Sequence, residues 1–116
     1  MPPKVFRISA AEIRQLIPPM GSCIATDRIV VDGLLVGYCY REDPDNEIDS
    51  GWRFFAGDED DLYVEDSNNM ATYDVNTIAN YDEAIIRVLA FPPGAAFERG
   101  AEGRLVQVAF PTHGEA

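Results

Sequence analysis

Short runs of apolar residues separated by turn-forming residues fill the first half of the chain, a pattern that is typical of β-strands. Residues 23–26 and 29–31 predict two strands, and residues 34–41 predict a third. Both faces of the third strand are mostly apolar, which favours a position in the centre of a sheet. Between the second and third runs, Asp32-Gly33 predicts a tight hairpin turn, because glycine accepts a positive φ at low cost.

A further strand is predicted at residues 51–57, which are rich in aromatic side chains. The two-residue period of a strand places Trp52 and Phe54 on one face and Arg53 and Phe55 on the other. Such aromatic side chains usually belong to a core, although their exposed edges can also anchor a protein interface. The sequence leaves both interpretations open.

Helical signals occur near the N-terminus and in the second half of the chain. Ser9 followed by Glu12 forms a capping box, which predicts a short N-terminal helix that ends at a pair of prolines. Asp74 and Asp82 stand where helix caps are expected, ahead of apolar residues at helical spacing. One or two helices are therefore predicted between residues 74 and 90.

The predicted elements together indicate an α+β fold. Residues 95–99 and 104–110 read as a closing hairpin, so the expected sheet is antiparallel and built from hairpins, with the short helices packed beside it. The length favours one domain over residues 1–116, since a domain has roughly 100–200 residues. The tail, residues 111–116, is expected to be frayed.

The negative charge of the chain is concentrated in one segment. The sequence has 20 acidic and 9 basic side chains and a formal net charge of −11. Eleven of the acids lie in residues 42–66, opposed only by Arg53, so this acidic segment carries −10, and nine acids against eight bases leave −1 elsewhere. Strand 51–57 divides the segment into two clusters that we expect about 20 Å apart.

This charge and the local sequence limit the classes of function. Nucleic-acid binding and binding to anionic membranes need a basic field, so neither is expected. No apolar stretch follows Lys4 and Arg7, and no run is long enough to span a bilayer, so a cytoplasmic protein is expected.

The acidic segment itself has three interpretations. It can form solvated loops, an electronegative surface for a basic partner, or a divalent-cation site. The calcium-loop template needs a glycine at its sixth position, where the two candidate loops have Ile48 and Tyr63.

Catalytic chemistry has little support in the sequence. His113 is the only histidine, and Cys23 and Cys39 lie in apolar runs that predict buried, reduced thiols, with a disulfide as the alternative. No phosphate-binding glycine loop and no zinc-ligand spacing occurs. Asp74, Asn76 and Asp82 could form a polar constellation, but helix capping is the simpler interpretation of these side chains. No enzymatic activity, cofactor or metal is therefore expected, and a carboxylate-dependent enzyme remains the least favoured alternative.

Four stretches of the chain resemble a known family. They are Arg41-Glu42-Asp43-Pro44-Asp45, the run from Asp49 to Glu59, the run from Tyr73 to Asp82, and Phe97-Glu98-Arg99. Together these motifs resemble the immunity protein 33 family of bacterial polymorphic toxin systems, over roughly residues 23–106. The resemblance implies a small cytosolic α+β protein that binds and neutralises a toxin, and it implies no catalytic residues.

The resemblance and the charge pattern together predict a partner-binding surface made of acids and an aromatic side chain. The expected residues are Asp43, Asp45, Asp49, Trp52, Asp58, Glu59, Asp60 and Asp61. Their expected partner is a basic protein, which the resemblance implies to be a toxin, and the carboxylates would cover its basic site for nucleic acid. The alternative is a small-ligand or divalent-cation-binding module with a housekeeping role.

Overall fold

Six strands form one mixed sheet in the computed structural model, which describes residues 4–111. In chain order they are β1 (Ser22–Thr26), β2 (Tyr38–Arg41), β3 (Asp49–Phe55), β4 (Met70–Asp74), β5 (Ala96–Arg99) and β6 (Leu105–Val108). Their order across the sheet is β4-β1-β3-β2-β5-β6. The predicted α+β class is confirmed.

The sheet differs from the predicted antiparallel arrangement at one strand pair. β1 and β3 run parallel, whereas the other four neighbouring pairs are antiparallel. β3 lies between β1 and β2 in the sheet and is antiparallel to β2. Since β2 runs in the direction opposite to β1, β3 runs parallel to β1. Sequence patterns of single strands do not reveal such an insertion.

The helices are short, and most begin at a side-chain cap. They are α1 (Asp27–Val30), α2 (Asp61–Glu65), α3 (Val75–Tyr81) and the 3-10 helices Ala10–Glu12, Ser67–Asn69 and Glu83–Val88. Asp74 and Asp82 accept hydrogen bonds from the amides of Asn76 and Ala84, which confirms the predicted caps. The Ser9 and Glu12 capping box is also present, but its helix has a single turn.

The predicted hairpin at Asp32-Gly33 is wrong. The preceding apolar residues form the end of α1, and the amides of Gly33 and Leu34 donate to the carbonyl oxygens of Ile29 (3.1 Å) and Arg28 (3.0 Å). Gly33 has φ +81°, so its conformational freedom ends a helix instead of turning a hairpin. The predicted strand 34–41 consequently starts only at Tyr38.

Two further elements of the structure differ from the elements predicted from the sequence. β4, which pairs with β1 at the edge of the sheet, was not predicted, because its residues are partly exposed and show no apolar alternation. The other is α2, a helix within the acidic segment for which no helix is predicted. The closing hairpin is confirmed as β5 and β6. The tail that is expected to be frayed, residues 111–116, lies outside the described residues except for Pro111.

The core lies between one face of the sheet and the helices. Trp52 and Phe54 stack with ring centroids 5.8 Å apart and are fully buried, as expected of core aromatics. Cys23 and Cys39 are buried and free, and β3 separates their strands, which confirms the predicted thiols and excludes the disulfide alternative. Among residues 4–111, no helix has the length and hydrophobicity required to cross a membrane.

Two asparagines on α3 attach the N-terminal segment to this core. The Asn76 side-chain oxygen accepts from the amides of Leu16 (2.8 Å) and Ile17 (3.2 Å), and its nitrogen donates to the Arg14 carbonyl (2.7 Å). Asn80 donates to the same carbonyl at 2.9 Å. Asn76 therefore pairs backbone groups of an extended segment, a role that differs from the expected capping.

Candidate functional site

The two acidic clusters lie at opposite ends of β3, as the sequence predicts. Residues 42–48 connect β2 to the start of β3, and residues 56–60 connect the end of β3 to α2. The seven residues of β3 separate the clusters by about 20 Å at roughly 3.3 Å per residue. Each cluster therefore has to be considered with its own neighbours.

The first cluster is organised around one buried cation. The Arg53 guanidinium lies 2.8 Å from an Asp49 carboxylate oxygen, 2.6 Å from Glu42 and 3.6 Å from Asp45. The Arg53 side chain is 4% exposed and that of Asp49 is 8% exposed, whereas Asp45 is 78% exposed. Asp49 is thus a structural ion-pair partner that a docking protein cannot reach, while Asp45 and the exposed Asp43 present charge to solvent.

The ion pair also fixes the protonation of Asp49. Hydrogen bonds from Arg53 outweigh the effect of burial and hold the pKa of this carboxyl far below its usual range. The amides of Asp45 and Gly51 each donate to the same carboxylate at 2.9 Å. The negative charge therefore persists at all physiological pH values, and its hydrogen bonds fold the first acidic loop onto β3.

The second cluster contains a carboxylate that organises its own loop. Glu59 is half-buried and accepts hydrogen bonds from the Thr26 hydroxyl (2.5 Å) and from the amides of Ala56 and Gly57 (2.8 Å each). Burial opposes ionisation of Glu59, but these hydrogen bonds dominate and lower its pKa. Asp60 caps α2 by accepting from the Tyr63 amide at 2.8 Å. Both residues shape the loop as well as charging it.

The remaining predicted acids of the second cluster are exposed to solvent. The Asp58 side chain is 55% exposed, with one oxygen 3.5 Å from the Arg28 guanidinium. Asp61 is exposed in the first turn of α2. Of the eight predicted residues, Asp43, Asp45, Asp58, Asp60 and Asp61 have accessible carboxylates.

The expectation of an exposed aromatic edge at Trp52 is wrong. Its side chain is fully buried, and the indole nitrogen donates to the Leu89 carbonyl at 3.4 Å. Trp52 faces the helices because the period of β3 places it on the same side as Phe54. Other aromatic residues of β2 and β3 lie on the opposite, outer face of the sheet, where they are partly exposed.

That outer face carries an aromatic cluster which the sequence did not identify as a site. Tyr38 and Phe55 are paired across β2 and β3, with centroids 6.0 Å apart, and Tyr40 stacks on Phe55 at 5.9 Å. All three rings are only partly buried. The apolar residues on both faces of β2 predict a central strand, and the strand order confirms that position, but they do not reveal that the outer face of β2 is left partly exposed.

These rings form the floor of a surface groove of about 1060 Å³, here called the aromatic groove. Leu35, which is 56% exposed, and Val64 of α2, which is 40% exposed, line it from two separate segments. Four carboxylates also line the groove, and they are Asp58, Glu59, Asp61 and Glu98. The second acidic cluster and the exposed aromatic rings therefore belong to one surface.

A close contact between two glycines sets the shape of the groove. A Cβ at Gly37 would lie 2.0 Å from the Ala56 carbonyl oxygen, so only glycine lets the chain before β2 approach the end of β3. Gly57 lies against Gly37 and has φ +102°, which carries the chain away into the acidic loop. The position of Asp58 and Glu59 depends on this crossing.

The described residues can be compared with two requirements of catalytic sites, clustered metal ligands and an activated thiol. Residues 4–111 contain no group of three His, Cys, Asp or Glu side chains placed to hold a metal ion. Burial raises the pKa of Cys39 to about 12 and also raises that of Cys23, which disfavours the nucleophilic thiolate at neutral pH. His113 lies outside the described residues.

Comparison with known proteins identifies a family. Residues 23–109, three quarters of the chain, match the family model described as the Immunity protein Imm33 domain. No curated protein and no solved structure matches the chain. The match includes the whole acidic segment, strands β2 to β6 and every residue that forms the floor of the aromatic groove, and it confirms the resemblance carried by the sequence motifs.

Proposed function

The chain belongs to the Imm33 family of immunity protein domains, and from this membership we propose that it neutralises a protein toxin by binding it directly. The observation that carries the proposal is the family match over residues 23–109. An immunity protein protects the cell that makes a toxin. This chain would have the same role and would act by binding the toxin, without catalysing a reaction.

The exposed carboxylates support a basic partner. Asp43 and Asp45 at one end of β3, and Asp58, Asp60 and Asp61 at the other, leave a negative field that Arg53 and Arg28 offset only in part. Such a field steers a basic protein into encounter and repels nucleic acid, which is itself anionic. The toxin would therefore present a basic site, such as one that binds phosphates of its own substrate.

Co-expression with candidate toxins from the genes that flank this one in its native genome tests the proposal. We expect cells that produce the toxin alone to stop growing and cells that also produce this chain to grow. An unrelated toxin serves as the control and should not be neutralised. Absence of protection against the neighbouring toxin, with the chain present in soluble form, would overturn the proposed function.

A further inference from the structure

We infer that the aromatic groove is where the partner docks, by receiving a large apolar side chain that Lys or Arg residues flank in the partner's sequence. This inference rests on the proposed function, because it names the contact through which a basic toxin would be held. It commits to one occupant, a basic and apolar segment of a protein.

The floor of the groove provides the apolar half of the contact. Tyr38, Tyr40 and Phe55 keep part of their surface exposed, and the exposed Leu35 and Val64 extend the apolar lining. Soluble proteins rarely expose contiguous apolar patches unless the patch binds something, and aromatic residues dominate the energetics of protein interfaces. An aliphatic or aromatic side chain is the natural complement.

The rim of the groove selects the charge of the partner. Asp58, Glu59, Asp61 and Glu98 contribute four negative charges, and Arg28 offsets only that of Asp58 in part, from 3.5 Å. Among the described residues, Arg99 is the one cation of the lining. Arg99 forms an ion pair with the buried Asp82 and donates to the Val36 and Gly103 carbonyl oxygens, so its charge is already compensated. A neutral or acidic segment would meet net repulsion or no attraction here, whereas flanking lysines or arginines would meet carboxylates.

The groove is also held in shape before a partner arrives. Glu59 ties its loop to Thr26 and to the Ala56 and Gly57 amides, and the Gly37 amide donates to the Phe55 carbonyl at 2.9 Å. A preformed surface loses less conformational entropy on association, which favours tight binding.

A pair of substitutions in α2 distinguishes an effect of the groove lining on binding from an effect of the added charge alone. Val64→Lys places a charged chain in the groove lining, whereas Leu62→Lys adds the same charge to α2 at a side chain that is 78% exposed and does not line the groove. Leu35→Lys repeats the test from a separate segment of the lining. All three positions are exposed, so the fold should be retained.

Three synthetic peptides serve as probes in NMR titrations of the 15N-labelled chain at low salt. The peptide Ac-KKGWLGKK-amide is basic and apolar, Ac-KKGSSGKK-amide is basic without the apolar pair, and Ac-EEGWLGEE-amide is acidic with the same apolar pair. We expect the first to shift the amides of Tyr38, Phe55 and Val64 and to bind about 10-fold more tightly than the others. Val64→Lys and Leu35→Lys should lose this preference, and Leu62→Lys should keep it.

The inference fails if the basic peptides bind equally, if no peptide shifts the groove amides, or if Val64→Lys and Leu62→Lys behave alike. Co-expression with the toxin distinguishes this failure from failure of the proposed function. Protection by wild type and equally by Val64→Lys would overturn the groove and leave the proposed function standing. Protection by neither, with both chains soluble, would overturn the proposed function itself.

Discussion

Arg53 illustrates how one side chain converts a run of like charges into structure. It is the single base among the eleven acids of residues 42–66, and it is buried with three of them around its guanidinium. A buried charge that lost its partner would be strongly destabilising, so the pairing of Arg53 with Asp49 holds the first acidic loop in place. The sequence showed the charge imbalance but not which acids are used for this purpose.

The ion pair makes a prediction for acid stability. Asp49 has a pKa below its usual value of 3.8, so its stabilising contribution is complete above about pH 4 and declines as pH falls through its lower folded-state value. Asp49→Asn should lower the free energy of unfolding by about 3 kcal/mol at pH 7. It should also flatten the loss of stability below pH 4. Denaturant unfolding measured from pH 7 to pH 2 checks both effects.

Asp43→Asn is the matched control, because Asp43 is an exposed acid of the same loop. It should change the free energy of unfolding by less than about 0.5 kcal/mol. Equal effects of the two substitutions would show that Asp49 does not stabilise the fold through Arg53.

At the scale of elements, the sequence predicts helix starts correctly where a side chain accepts a hydrogen bond from a nearby backbone amide. Asp74 and Asp82 cap their helices as predicted, since a cap depends on residues two or three positions away. Gly33 shows the limit of local reasoning, because a positive φ suits a helix end as well as a hairpin. β4 was missed because its pairing with β1 is non-local.

The contact between Gly37 and the Ala56 carbonyl gives a prediction at this scale. Gly37→Ala would place a methyl group 2.0 Å from that oxygen and force the two segments apart. We expect the free energy of unfolding to fall by about 3 kcal/mol, as for overpacking of a tight site. Gly103→Ala, where φ is +83° and no atom lies within 4 Å of the added Cβ, should cost only about 1 kcal/mol. Equal losses in denaturant unfolding would contradict the close contact.

At the scale of the whole molecule, the net charge of −11 becomes two surfaces with different character. In the first acidic loop, Glu42 and Asp49 form ion pairs with Arg53, which neutralises part of the charge. In the second, Asp58 and Asp61 stay exposed beside the aromatic groove. Sequence reasoning located both clusters but not the groove, because Leu35, Phe55, Val64 and Glu98 come from four separate parts of the chain. These residues come together because of the order of the strands in the sheet, which the residue pattern of one segment does not reveal.

This distribution predicts how charge affects association with the toxin. Asp58→Asn combined with Asp61→Asn should slow association by about 3- to 10-fold at low salt and leave the rate near that of wild type at high salt, where screening removes steering. Glu59 and Asp60 are left intact because they shape the loop. The control combines Glu83→Gln with Glu102→Gln, which removes the same charge from exposed positions outside the groove lining. Equal slowing in both double variants, measured by stopped flow, would contradict local steering.

The central claim is that the chain neutralises a toxin by occupying it, and a titration of toxin activity tests this most directly. A candidate toxin from the genes that flank this one would be purified and mixed with increasing amounts of this chain, and the remaining toxin activity would be measured. Direct binding predicts a linear fall in activity that ends at a fixed stoichiometric ratio of chain to toxin. Unchanged activity with the chain in excess, or complete neutralisation by a small catalytic fraction of it, would contradict the claim.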